Sequence, residues 1–163
     1  MPEAADGRRL LGIYLNDHLA GATVGVELAR RARASNRDDP ELGGPLTEVC
    51  AEIEADRETL RRTMERLGIR RSCLKPAAGW VGEKLGRLKL NGRLRGYSPL
   101  SRVVELEGLA IGIAGKARMW RSLETALGGD LAGTDFGALA ERADRQRARV
   151  EELHRIAARR SFG

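Results

Sequence analysis

The feature that most constrains this chain is the spacing of its apolar residues, which recur at three- and four-residue steps between clusters of glycine and proline. Leu11, Tyr14, Leu15, Ala22, Val26 and Ala29 predict a helix over about 8–35. The run from Ser35 to Pro45, rich in Asn, Asp, Gly and Pro, ends it. Leu46, Val49, Cys50, Ile53, Leu60, Met64 and Leu67 predict a second helix over 45–68, with Pro45 in its first turn and Gly68 as a stop. Pro76 opens a shorter one over 76–91. Ser98-Pro99, a hydroxyl cap followed by proline at the first helical position, starts a fourth over 98–127. Gly128-Gly129 breaks that helix, and Thr134-Asp135 caps a last one over 134–160. No alternating strand pattern competes. The expectation is one all-α domain over 1–163: two long helices, a connector holding a short helix, then two more.

Composition agrees. Aromatic residues are only 4% of the 163, too few for a β-sandwich of this size. The length suffices for a real core without staples. Cys50 and Cys73 lack metal-ligand spacing, the N-terminus reads as no signal peptide, and no window is apolar enough to span a membrane. A cytoplasmic protein with no membrane partner is the expectation.

The net charge of +6 is unevenly spread. Residues 61–102 carry 12 Lys/Arg against 2 Asp/Glu, whereas 1–60 carry 7 against 12. This basic crossover could attract nucleic acid or the acidic third of a second copy. It has only Trp80 and Tyr97 as aromatics and no base-reading motif, so a solvated connector or a subunit interface is favoured.

Polar groups interrupt the apolar stripes. Taking about 100° per residue, His18 falls at the centre of the first stripe, Glu107 near the middle of the fourth helix and His154 at the centre of the last. Glu151 and Asp56 lie about 60° from the centres of their faces. Such groups are costly in a core unless paired or liganded, which makes His18, Asp56, Glu107, Glu151 and His154 the candidate metal cluster. Arg57 and Arg147 lie near these acids, and guanidinium groups pairing with Asp56, Glu107 and Glu151 would give an ionic network instead.

The layout, a four-helix bundle with one long crossover, is the ferritin-like arrangement. The segment Leu15-Asn16-Asp17-His18-Leu19-Ala20-Gly21-Ala22-Thr23-Val24-Gly25-Val26-Glu27-Leu28-Ala29 resembles the first helix of small bacterial ferritin-like proteins. That resemblance implies a di-metal site with a Glu from each of two helices and Glu-x-x-His from each of the other two. Only Glu151-x-x-His154 and the single Glu107 fit; the first helix offers His18 where a carboxylate belongs.

A degenerate, non-enzymatic ferritin-like bundle serving as an interaction or assembly module, possible as a homodimer, is therefore the leading expectation. The alternative is a metal-binding oxidoreductase or storage protein with iron or manganese as cofactor, and a weaker one is nucleic-acid association. Gly115-Lys116 superficially suggests a phosphate loop but lacks the earlier glycine and sits mid-helix. Gly21/Gly25 and Gly108/Gly112 permit close backbone approach, within the bundle or across a dimer seam. Trp120 and Leu123, away from Glu107, are expected to face the connector or a second subunit. No Ser/His/Asp or Cys/His catalytic set can be assembled.

Overall fold

The computed structural model describes residues 2–72, 97–128, 130–131 and 133–163. Four helices account for most of them: α1 (Pro2–Ser35), α2 (Gly43–Arg66), α3 (Pro99–Leu127) and α4 (Phe136–Phe162). The expected helix over 76–91 lies outside the described residues, as do Cys73, Trp80 and the basic residues between Lys75 and Arg95. No helix among the described residues is long and apolar enough to cross a membrane.

The helix ends follow local chemistry. Ser98 Oγ accepts the Ser101 amide at 3.0 Å while Pro99 occupies the first turn of α3. Gly128 closes that helix in the left-handed region, φ 80°, where a Cβ would be strained. Asp135 caps α4 by accepting the Ala138 amide at 2.8 Å. Between these helices, β1 (Asp130–Leu131) pairs antiparallel with β2 (Thr134–Asp135), in register Asp130↔Asp135 and Leu131↔Thr134. The expectation of no strand is corrected here. Two-residue strands are too short to leave an alternating pattern, and only the turn between them brings them into register.

Side-chain contacts fix the direction of every helix. Arg8 donates to the Leu67 carbonyl and Arg30 to Glu54, so α1 and α2 run antiparallel. Tyr14 meets Ser122 while Arg31 meets Glu105, so α1 and α3 are antiparallel too. Arg66 meets Thr134, and Arg160 meets Asp39, which sets α4 against α2. Consequently α2 and α3 run parallel: α2 ends beside the start of α1, and α3 begins beside its end. The connection between them must pass from one end of the bundle to the other, so the protein is an all-α four-helix bundle with a single crossover.

Two apolar clusters fill the bundle. One, around Val26, Leu46, Ile53, Leu106, Leu109 and Val150, occupies the end where α3 begins. The other, around Leu15, Leu60, Met64, Trp120 and Phe136, occupies the end where α4 begins. Trp120 and Leu123, expected on the connector or a subunit seam, are both 0% exposed in this second cluster. The Trp120 and Phe136 rings stack there with centroids 6.1 Å apart, so the bundle itself consumes that face.

At the first end a buried carboxylate ties α3 to α1. Glu105 is 0% exposed; its Oε1 lies 2.7 Å from Arg31 Nε, and its Oε2 accepts the Tyr97 hydroxyl at 2.9 Å. Tyr97 in turn accepts from Asn36 at 3.1 Å, and Arg102 lies over its ring. Burial holds the Glu105 carboxyl above its ordinary pKa despite Tyr97 and Arg31. Because the folded state favours the protonated form, this residue's contribution is greatest at acid pH and is lost as pH rises through the raised value. Urea titrations from pH 4 upward should show wild-type stability falling relative to Glu105→Gln. Parallel pH profiles for the two proteins would refute this account.

Candidate functional site

A cleft of about 480 Å³ opens between α1 and α3 at mid-bundle and reaches α2 at its floor. Its walls follow from sequence: Gly21, Ala22 and Gly25 on α1 face Gly108, Gly112 and Gly115 on α3. A Cβ added at Gly21, Gly25, Gly112 or Gly115 would meet nothing within 4 Å. Only Gly108 is held to its size by packing, with Leu28 Cδ2 3.2 Å from the Cβ position. The expectation that Gly21, Gly25, Gly108 and Gly112 serve close helix approach thus holds for Gly108 alone. Gly21, Gly25 and Gly112 border open space, and so does Gly115.

The floor is polar and lies between the two apolar clusters. Asp56, 2% exposed, accepts from Lys116 through Oδ2 and from Arg142 through Oδ1. Gln146, 0% exposed, donates to Asp56 Oδ2 at 3.1 Å and accepts from Lys116 through Oε1. Three helices are therefore locked by one carboxylate, with α2 supplying the acid, α3 the ammonium, and α4 the guanidinium and amide. Burial lowers the Lys116 amine pKa, while Asp56 pulls it upward. Beside this layer, Arg149 pairs with Glu52, which is held below its ordinary pKa by the hydrogen bonds from Arg149 and Gln146 in spite of burial.

Two of the five anticipated polar residues meet in the cleft. Asp56 forms its floor, and His18 is half-buried in its wall, packed edge-on against Tyr14 with ring centroids 4.6 Å apart. Burial keeps the His18 imidazole pKa low, against the pull of Asp17, so the ring is neutral at pH 7. The other three lie elsewhere. Glu107 is exposed on α3, Glu151 is exposed on α4 with Arg147 3.7 Å away, and His154 is half-buried on α4 outside the cleft. Among the described residues no three His, Cys, Asp or Glu side chains come together in a way that could hold a metal. A di-metal centre does not fit these residues: the Asp56 oxygens are taken by cationic side chains, and Glu107 and Glu151 face solvent.

The misplacement of Glu107 has a physical cause. The core of α3 is built by Ser101, Glu105, Leu109, Ile113 and Ala117 at four-residue steps, with Leu106 and Trp120 alongside. Apolar residues lie all round this helix, so angular projection cannot choose its inner face. Packing chose Glu105 instead. The anticipated guanidinium pairing is realised at Asp56 with different partners: Arg142 and Lys116 engage it, while Arg57 lines the cleft. Lys116 was legible as the one cation in the largely apolar stretch from Val103 to Ala117, and Gln146 as an amide on the line from Ala143 to Val150. Their common partner was not.

In the basic segment, Arg61 and Arg62 pair with Glu58, and Arg66 donates to Thr134. Much of this part of the expected nucleic-acid surface is thus spent on internal contacts.

Removing one member of the buried ion pair leaves an uncompensated charge, which costs about 3–5 kcal/mol. Asp56→Ala should lose that much in chemical denaturation. Asp56→Leu combined with Lys116→Met should lose less than the sum of the two single changes, with a coupling of about 0.5–3 kcal/mol. Additive losses would mean that the pair does not act as a unit. Comparison with protein-family models, curated proteins and solved structures finds no match to this chain.

Proposed function

We propose that this protein is a non-enzymatic ferritin-like bundle that works as a binding module through the α1–α3 cleft. The observation that carries the reading is the set of four glycines whose missing side chains leave open space. A glycine inside a helix costs about 0.5–1 kcal/mol relative to alanine. Gly21, Gly25, Gly112 and Gly115 have no packing partner that excludes a methyl group, and all four line one cleft. Residues that weaken two helices and serve no internal contact are explained by what the cleft receives. The ferritin-like reading rests on the parallel α2 and α3 joined by one crossover, together with the sequence resemblance of α1. In that reading the Lys116 ammonium and Arg142 guanidinium neutralise a mid-bundle carboxylate where relatives would carry cations. Such a layer gives structural charge balance rather than redox chemistry.

The expected behaviour separates fold from function. Gly21→Ala, Gly25→Ala, Gly112→Ala and Gly115→Ala should each raise stability by about 0.5–1 kcal/mol in urea titrations. Gly108→Ala, against Leu28, should not. A neutral apolar dye such as Nile red should gain fluorescence on the wild-type protein and lose that gain in Gly112→Leu. Destabilisation by the four alanine changes, or equal dye signal from both proteins, would overturn the cleft as the working site.

A further inference from the structure

The cleft's chemistry specifies what kind of molecule it takes. At about 480 Å³ it has the size of a small-molecule pocket, mostly apolar with a few polar groups at depth. Leu60, Leu109, Ile113 and Met119 supply apolar surface. At the polar floor, three groups carry N–H donors. Trp120 is 0% exposed behind the cleft wall, and its indole Nε1–H has no acceptor among the described residues. Arg57 lines the same cleft half-buried, and no ion pair engages it among the described residues. Lys116 spends two of its three N–H bonds on Asp56 and Gln146.

Charge points the same way. The single carboxylate at the floor, Asp56, faces both Lys116 and Arg142, and Arg57 adds a third cation nearby. The charged residues of the cleft lining are Asp17, at the exposed rim, Asp56, Arg57 and Lys116; with Lys116 engaged by Asp56, the cation without an ion pair among the described residues is Arg57. His18, neutral in the wall, adds no charge. An apolar channel with an unpaired guanidinium beside its polar floor is complementary to an apolar body with an acidic head.

We propose that the α1–α3 cleft binds a small amphipathic carboxylate, its apolar body along Leu60, Ile113 and Met119 and its acid group toward Arg57 and Lys116. This rests on the cleft being the working site, which the dye experiment tests independently. The ligand acts as an acceptor that satisfies donors the bundle leaves open, and no covalent step is involved.

Calorimetric titration of the full chain with decanoate, decanol and acetate tests the assignment, all kept below self-association. Decanoate should bind at least about tenfold tighter than decanol, since a charged hydrogen bond contributes about 1.5–3 kcal/mol. Acetate, with the charge and no body, should bind too weakly to detect. Arg57→Gln should bring decanoate to the decanol level while leaving decanol unchanged. Gly112→Leu should abolish both while remaining folded by circular dichroism. Equal affinity for decanoate and decanol, with dye binding intact, would overturn the acid-group assignment alone. Light scattering showing a dimer that dissociates in Gly112→Leu would overturn it in favour of a second copy's helix in the cleft.

Discussion

The buried Asp56 carboxylate is the contact on which the arrangement of the other helices depends. It sits at the midpoint of α2, and the partners that compensate it come from α3 and α4. A charge buried to this degree is tolerable only with its full complement of donors. That requirement sets the relative rotation and height of three helices at once. Apolar packing alone would tolerate many such settings, because one leucine replaces another with little loss. The ionic layer is therefore best understood as a device for uniqueness, with the two apolar clusters above and below it supplying most of the favourable free energy.

The same layer explains why the cleft exists where it does. The first helix contributes no charged partner to Asp56; at this height it presents His18 and then Gly21, Ala22 and Gly25. With small residues on α1 and on the facing part of α3, the bundle is open on the α1–α3 side at this height, and a separate cavity of about 490 Å³ between α2 and α4 reaches Arg142. The α1–α3 opening reaches the buried polar layer directly at Asp56 and Lys116. Within it Asp56 and Lys116 are committed to each other, whereas His18 and Arg57 have no ion-pair partner among the described residues.

The difference between Glu105 and Glu107 shows where the sequence stops being informative. Both acids stand in the same apolar stretch of α3, two positions and thus about 200° apart. With apolar residues on every side, the helix could bury either. Burying Glu105 lets Arg31 and Tyr97 reach it, whereas Glu107 is left in solvent. Partner availability across helices decided the rotation, and that information is nowhere in the local pattern. The glycine pairs mislead in a similar way. Their four-residue spacing is the same whether they admit a neighbouring helix, as Gly108 admits Leu28, or line an empty cleft, as Gly112 does.

What the sequence determined is the part governed by short-range physics. Three-and-four spacing, Ser98-Pro99, Asp135 and Gly128 define the long helices and their ends, because caps, proline and left-handed glycine act within a turn or two of chain. The placement of Asp56 on an inward shoulder was legible for the same reason. Tertiary structure alone decided that α3 shows Glu105 rather than Glu107, that Lys116 and Arg142 rather than Arg57 compensate Asp56, and that four glycines open a cleft. Each of these is a choice among faces that are locally equivalent. It is settled by where a charge on one helix finds its counterpart on another, across separations of 60 to 90 residues in the chain.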